Sequence, residues 1–194
     1  MEIKRIINSP VSSNCFIVSF KDDSCILIDP GSKDTSIIEN SIRKKTIDYI
    51  FLTHEHFDHI WSADTIKKKF NAKLCCSIEA SKAIVDKKKN FSIFYDQIGF
   101  ELSSPDIILK DRQIINWKEQ SIEIIYTPGH SNGSVCIKIN KCLFTGDTII
   151  KNTPTITKLP GGSKRKLQES MEKLILLGLH KLDLYCGHGE NDIK

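Results

Sequence analysis

The sequence predicts an α+β fold, and three observations predict it. Apolar, β-rich runs open the pattern at 3–7, 14–20 and 24–29 and return at 112–117, 121–127, 134–139 and 142–145. Between these two groups strand and helix patterns alternate, and an amphipathic helix follows the second group. Polar clusters of His, Asp and Gly stand where several of the strands stop. A length of 194 residues suits one sizeable core, so a single domain over 1–194 is expected, with no linker, internal repeat or low-complexity segment.

The early runs read as a three-strand meander, the last two joined by the turn former Lys21-Asp22-Asp23. The third run stops at Asp29-Pro30-Gly31. A carboxylate there is either a turn former or a partner that orients a metal ligand, and the sequence leaves both open. Apolar residues spaced over 35–44, with Asp34 ahead as cap, predict a helix. It leads to the strand Tyr49-Ile50-Phe51-Leu52-Thr53. Helix over 60–70, strand over 73–77 and helix over 78–87 follow. Residues 90–106 lack a clean period and hold Phe91, Phe94, Tyr95 and Phe100. They form either a cap over a site or a packed connection, and aromatic clusters favour packing. After the second strand group, Leu167, Met171, Leu174 and Ile175 mark the apolar face of a helix over 163–177, capped by Ser163 and stopped before Gly178.

The strand at 49–53 empties into His54-Glu55-His56-Phe57-Asp58-His59. Three imidazoles and two carboxylates in six residues are too many polar groups to bury unless something binds them. A metal does so, and imidazole with carboxylate suits zinc, iron or manganese. Further candidates follow later strands, in Thr127-Pro128-Gly129-His130-Ser131, Thr145-Gly146-Asp147-Thr148 and Cys186-Gly187-His188-Gly189. His54, His56, Asp58, His59, His130, Asp147 and His188 make seven ligand candidates, which suits two ions better than one. One ion would take His54, His56 and His130, the other Asp58, His59 and His188. Asp147 would bridge them, because a carboxylate has two oxygens to share. His180 stands apart as a structural histidine.

Composition narrows the classes. Apolar content of 40%, charged content of 27% and a net charge of +4 describe an ordinary globular chain. The lysines are spread out, and Lys67-Lys68-Lys69 and Lys87-Lys88-Lys89 read as solvated helix ends, so no nucleic-acid partner is expected. The start carries no apolar leader and no run reaches membrane-spanning length, so no membrane partner and a cytoplasmic location are expected. The seven cysteines are odd in number, and Cys15, Cys25, Cys75, Cys76, Cys136 and Cys142 lie in apolar runs, where reduced, buried thiols are expected. Cys186, two residues before His188, falls on the same side of an extended segment and stays open as a further ligand.

The run His54-x-His56-x-Asp58-His59, with Asp29, Pro128-Gly129-His130, Gly146-Asp147 and Gly187-His188-Gly189 in order, resembles the metallo-β-lactamase fold superfamily, and within it the short glyoxalase II-like hydrolases. The resemblance spans nearly the whole chain. It implies a four-layer αββα sandwich and two divalent metal ions, zinc foremost with iron or manganese as alternatives. It also implies hydrolysis of a thioester or small ester by a water shared between the ions, with Asp58 as catalytic proton carrier. Three departures stand out. The chain ends six residues after His188, where glyoxalase II carries a glutathione-holding helical region. Ile156-Thr157 replaces a usual Gly-Arg, and Cys186 replaces a proline. A small-molecule substrate is expected, and Lys158, Lys164 and Arg165 near the site would greet an anionic one, although solvated lysines are commoner. The rivals are a mononuclear iron dioxygenase of the persulfide type and a non-catalytic metal-binding interaction protein.

Overall fold

The computed structural model describes residues 1–20, 23–42 and 45–190. The turn read at Lys21-Asp22-Asp23 and the end of the helix read over 35–44 fall largely on residues outside these. The first sheet contains β1 (Glu2–Ile7), β2 (Asn14–Ser19), β3 (Ser24–Ile28), β4 (Thr46–Phe51), β5 (Lys73–Ser77) and β6 (Ile107–Leu109), in that order. β1 to β3 form the antiparallel meander, whereas β3 to β6 run parallel. Parallel neighbours need crossovers, and helices supply them. These are α1 (Ser36–Ile42), α2 (Phe57–Ile60) with α3 (Ala63–Phe70), and α4 (Ile78–Ile84) with α5 (Ser92–Asp96).

The second sheet has the order β11-β10-β9-β8-β7, from β7 (Ile114–Trp117), β8 (Gln120–Tyr126), β9 (Val135–Ile139), β10 (Cys142–Gly146) and β11 (Asp183–Cys186). Its one parallel pair is β10 with β11, bridged by α6 (Lys164–Leu176) and a short 3-10 turn at Leu179–Lys181.

Alternation along single strands builds the layers. In β2, Phe16 and Val18 face the second sheet, where they meet Val135, Ile137 and Phe144, while Cys15 and Ile17 face the helices with Ile38, Ile66 and Ile84. Both faces of β2 are therefore covered, and all six of its residues are buried. On the far side, Ile125, Cys136 and Leu143 pack against Leu174 of α6. The result is helices, sheet, sheet and helix, the αββα sandwich. The sheets are tied at the site edge, where Asn14 N–H donates to Gly187 O (2.7 Å) and Ser13 bridges to His188.

Four local readings need correction. The helix expected over 60–70 is broken at Trp61-Ser62, and its first turn, α2, begins inside the His run. The helix expected over 78–87 stops at Ile84, so Lys87-Lys88-Lys89 lie in the turn beyond it. β6 was not expected, because three residues are too short to show a period. Ile175 is 60% exposed rather than part of the buried face of α6, since it lies about 100° around the helix from buried Leu174. Ser163 does cap α6 by accepting from Lys166 N–H, and Gly178 follows its end with φ 82°.

Among the described residues all seven cysteines are buried and none forms a disulfide. No helix among those residues is long and apolar enough to cross a membrane.

Candidate metal centre

The seven candidate ligands converge on one edge of the sandwich. β4 ends at Phe51, and Thr53 to His56 turn away from it before α2 lifts Asp58 and His59 toward the same point. His130 arrives on the loop between β8 and β9, Asp147 directly after β10, and His188 two residues after β11. Gly187 makes the last approach possible. A Cβ on it would lie 2.2 Å from Asp147 Oδ1 and 2.8 Å from His59 Cε1, so no larger residue fits without displacing the cluster.

Two groups of three have ligand atoms within 4.8 Å of one another: His54 with His56 and His130, and Asp58 with His59 and His188. His130 Nε2 lies 2.9 Å from His56 Nδ1, and His188 Nε2 lies 3.3 Å from both His59 Nε2 and Asp58 Oδ2. Asp147 stands between the groups. Its Oδ2 is 3.5 Å from His130 Nε2 and from His188 Nε2, and its Oδ1 is 3.5 Å from His59 Nε2. Asp29, His54 and His59 also lie close together, but Asp29 is occupied. It accepts Thr53 N–H at Oδ1 (2.8 Å), and Thr53 Oγ1–H (2.6 Å) and His59 Nδ1–H (3.0 Å) at Oδ2. Asp29 thus holds the candidate ligand His59, and its backbone also turns with φ 55°.

The outer nitrogens of four histidines are held in turn. His54 Nδ1–H donates to Thr53 Oγ1 (3.0 Å), whose own proton goes to Asp29. His130 Nδ1–H donates to Ile156 O (2.9 Å) and His188 Nδ1–H to Ser12 O (3.0 Å). With His59 on Asp29, each ring turns the lone pair of Nε2 inward when neutral, the usual way a protein prepares metal-binding imidazoles. Thr53, Ser12 and Ile156 escaped the sequence reading. The latter two act through backbone carbonyls, which leave no trace in residue type.

The electrostatics divide the cluster. Burial first, then neighbouring His59, holds His54 well below the ordinary imidazole range, and burial with His130 brings His56 down to about 3. Burial also lowers His130, against the pull of Asp147. Burial opposes protonation of His59 too, yet Asp58, Asp147 and Asp29 outweigh it and raise His59 to about 10. His188 is likewise raised by Asp58 and Asp147 against burial, while His59 and His188 depress Asp58 although burial opposes them. The centre therefore demands positive charge between its carboxylates. His54 Nε2, His56 Nε2 and Asp147 Oδ1 are buried without a hydrogen-bond partner. Of these, His54 Nε2 and Asp147 Oδ1 are acceptors that a cation would satisfy, while His56 presents Nδ1 to His130, so the donor set fits divalent metal.

Beside the candidate ligands opens a cavity of about 620 Å³, lined also by Phe91, Phe94 and Tyr95 and by Ile156, Leu159 and Pro160. The segment 90–106 is thus divided. Phe100 and Leu102 pack on the helix-side core, whereas Phe91, Phe94 and Tyr95 line the cavity while Phe91 and Tyr95 also pack on His56, Phe57 and Trp61, so the segment is both a packed connection and part of the cavity wall. Lys158, Lys164 and Arg165 do not line this cavity, and Arg165 pairs with Glu169. Cys186 is buried and its thiol belongs to none of the ligand groups, and His180 is exposed and apart from them.

This fold and this centre define the class. Residues 8–188 match the sequence profile of the Metallo-beta-lactamase superfamily, and the chain belongs to that family. The "Probable metallo-hydrolase YqgX" of Bacillus subtilis is 30% identical, the alignment covering 100% of this chain and 93% of that one. Among solved structures, the BLEG-1 B3 metallo-beta-lactamase superposes with a TM-score of 0.89 at 25% identity, over 97% of this chain and 92% of its own. TTHA1623, solved in a di-iron-bound form, superposes with a TM-score of 0.82 at 19% identity, over 96% and 92%.

Proposed function

We propose that the protein is a dinuclear metal-dependent hydrolase, of the glyoxalase II-like kind, that cleaves a thioester or related small ester. The observation that carries this reading is the pairing of two intact three-ligand groups, with Asp147 between them, at the floor of an open cavity. A purely structural site would be closed by its ligands, whereas here Asp58, Asp147 and His188 still face the cavity. The name of the Bacillus relative supports hydrolysis.

His54, His56 and His130 would hold one ion and Asp58, His59 and His188 the other, with Asp147 shared. Zinc suits these ligands, and the di-iron form of TTHA1623 supports iron as the alternative. When bound, such ions lower the pKa of water toward neutrality and polarise a carbonyl oxygen. Asp58 is kept ionised by His59 and His188 and borders the cavity, so its carboxylate can accept a proton from the attacking water and return it to the leaving group. A thiolate leaving group needs little of that help, which favours thioesters. The substrate is a small molecule that enters between α5 and the 156–160 loop.

The rival is a persulfide-type dioxygenase, which would use fewer ligands on one iron. The presence of both Asp58 and His188 weighs against it, and two intact groups favour two ions. Turnover by metal-loaded protein against thioesters, lactones and phosphodiesters tests the proposal. Hydrolysis of thioesters above the others is expected, and oxygen uptake with a thiol or persulfide in place of hydrolysis would replace it.

A further inference from the structure

The walls of the cavity are built with more care than a passive connection needs. α5 has only five residues, yet it is framed by Phe91 and Gln97, both in the left-handed backbone region at φ 66° and φ 65°. That conformation is uncommon for bulky residues and persists only where surrounding contacts impose it. The contacts are present. Buried Asn90 donates to Ile84 O and Phe100 O and accepts Ser92 N–H, while Asn90 O accepts Phe57 N–H from the ligand run itself (2.9 Å). Aromatic packing continues the tie. Phe57 meets Tyr95 at 5.1 Å between ring centroids, and Phe91 meets His56 at 4.9 Å.

This scaffold spends its order on presenting apolar surface to water. Phe94 is 72% exposed and Tyr95 45%, and of the other lining residues Ile156 is 56% and Leu159 41% exposed. No lysine or arginine is among the described residues that line the cavity. None of these lining residues offers a cationic side chain to a carboxylate or phosphate at the far end of a bound group, whereas a hydrocarbon group would remove the exposed rings from solvent.

We propose that this cavity is the acyl subsite and that the acyl group it takes is apolar and bulky, an aromatic, branched or medium-chain acyl rather than a hydroxylated or carboxylated one. Phe94 and Leu159, both of which line it, set the selectivity. The proposal rests on the thioester-hydrolase reading and adds the class of acyl group to it.

The test uses zinc-loaded protein and N-acetylcysteamine thioesters, which keep one small uncharged leaving group while the acyl part runs from acetyl through butyryl and hexanoyl to octanoyl. Phenylacetyl, lactoyl and succinyl members complete the set. kcat/KM should rise about fourfold per methylene, the factor that burial of one CH2 supplies. Succinyl and lactoyl should fall at least tenfold below butyryl. Phe94→Ala should lower the octanoyl-to-acetyl ratio at least fivefold, and Leu159→Lys should raise the succinyl-to-butyryl ratio. Both positions are exposed, so folding is preserved. In parallel, S-alkyl ethers of N-acetylcysteamine, which cannot be hydrolysed, are titrated calorimetrically, and their affinity should rise with alkyl length. Turnover with no dependence on acyl length, or a preference for succinyl, overturns the acyl subsite and leaves the thioesterase reading in place. Length-dependent binding without turnover of any thioester overturns the thioesterase reading and leaves the apolar site. Neither turnover nor binding overturns both.

Discussion

The Ser131 hydroxyl donates to the buried carboxylate of Glu55 at 2.8 Å, joining the loop that carries His54 and His56 to the loop that carries His130. Ser131 is extended by Ser134, whose hydroxyl lies 2.9 Å away and accepts Ser131 N–H. Glu55 is therefore a positioning residue, since it touches no ligand atom but fixes the distance between two ligand-bearing loops. Glu55→Ala should cost about 1–3 kcal/mol of stability through the unpaired hydroxyls. It should also weaken the ion held by the three-histidine group about tenfold or more. Denaturant unfolding reads the first effect and competition with a chromophoric chelator the second. Unaltered metal affinity would confine Glu55 to the fold.

Asp29 offers a parallel case on the other side of the centre. Asp29→Asn keeps the shape and tolerates φ 55°, but the amide nitrogen that replaces one oxygen cannot accept from Thr53 or His59. The His59 ring then loses its fixed tautomer. Metal retention after dialysis against a weak chelator should drop at the ion held by Asp58, His59 and His188, by about 10–100-fold in affinity. Full retention of both ions would show that Asp29 serves the turn alone.

These two residues mark where the sequence was legible and where it was not. The candidate ligands stood out because His, Asp and Gly recur just past apolar runs, and a run that ends in titratable groups has few structural uses. The layers were legible in part, since β2 and β3 are apolar on both faces, as strands buried on both sides must be. Asp29 could be named but not assigned, because its role depends on His59 thirty residues on. Glu55 stands in plain view among the candidate ligands, but its role depends on Ser131, which is brought to it by contact between the two sheets, Val135 N–H donating to Thr53 O and the Ser77 hydroxyl to Gly133 O. α5 was hidden by its own irregularity. Five helical residues between two left-handed ones carry no period.

Metal content tests the centre as a whole. Protein purified without chelator should carry two ions per chain by elemental analysis. Stripping them should lower the melting temperature, because a ligand present at a thousand times its Kd contributes about 4 kcal/mol to the folded state. The apo protein keeps the hydrogen bonds from Thr53 and His59 to Asp29, so the loss should be graded rather than complete. One iron per chain, reproducibly, would move the assignment to the dioxygenase rival.

Asp58→Asn separates holding from chemistry. The amide retains one oxygen near His188 but loses the charge that attracts a cation and the basicity that accepts a proton. Occupancy of the second ion should weaken. With metal restored by excess, kcat should still fall on the order of a hundredfold, the usual contribution of a positioned proton carrier. Turnover equal to the parent at full occupancy would remove Asp58 from the mechanism.

Cys186 is the last open residue, placed by sequence on the side of His188 and by structure elsewhere. β11 ends at Cys186, and the Cβ direction of the next residue, Gly187, points at Asp147 Oδ1, so alternation turns the thiol away from the ligands. The neighbouring Cys136, whose thiol burial pushes up to about 12, lies on the α6 side of the sheet and feels Cys186 there. Cys186→Ala should therefore leave both ions in place and change kcat only modestly. Stability should fall by about 1 kcal/mol, the scale of removing one small buried group. Elemental analysis of that variant decides the matter: loss of one ion per chain would make the thiol a ligand and would require the strand to turn it toward His188.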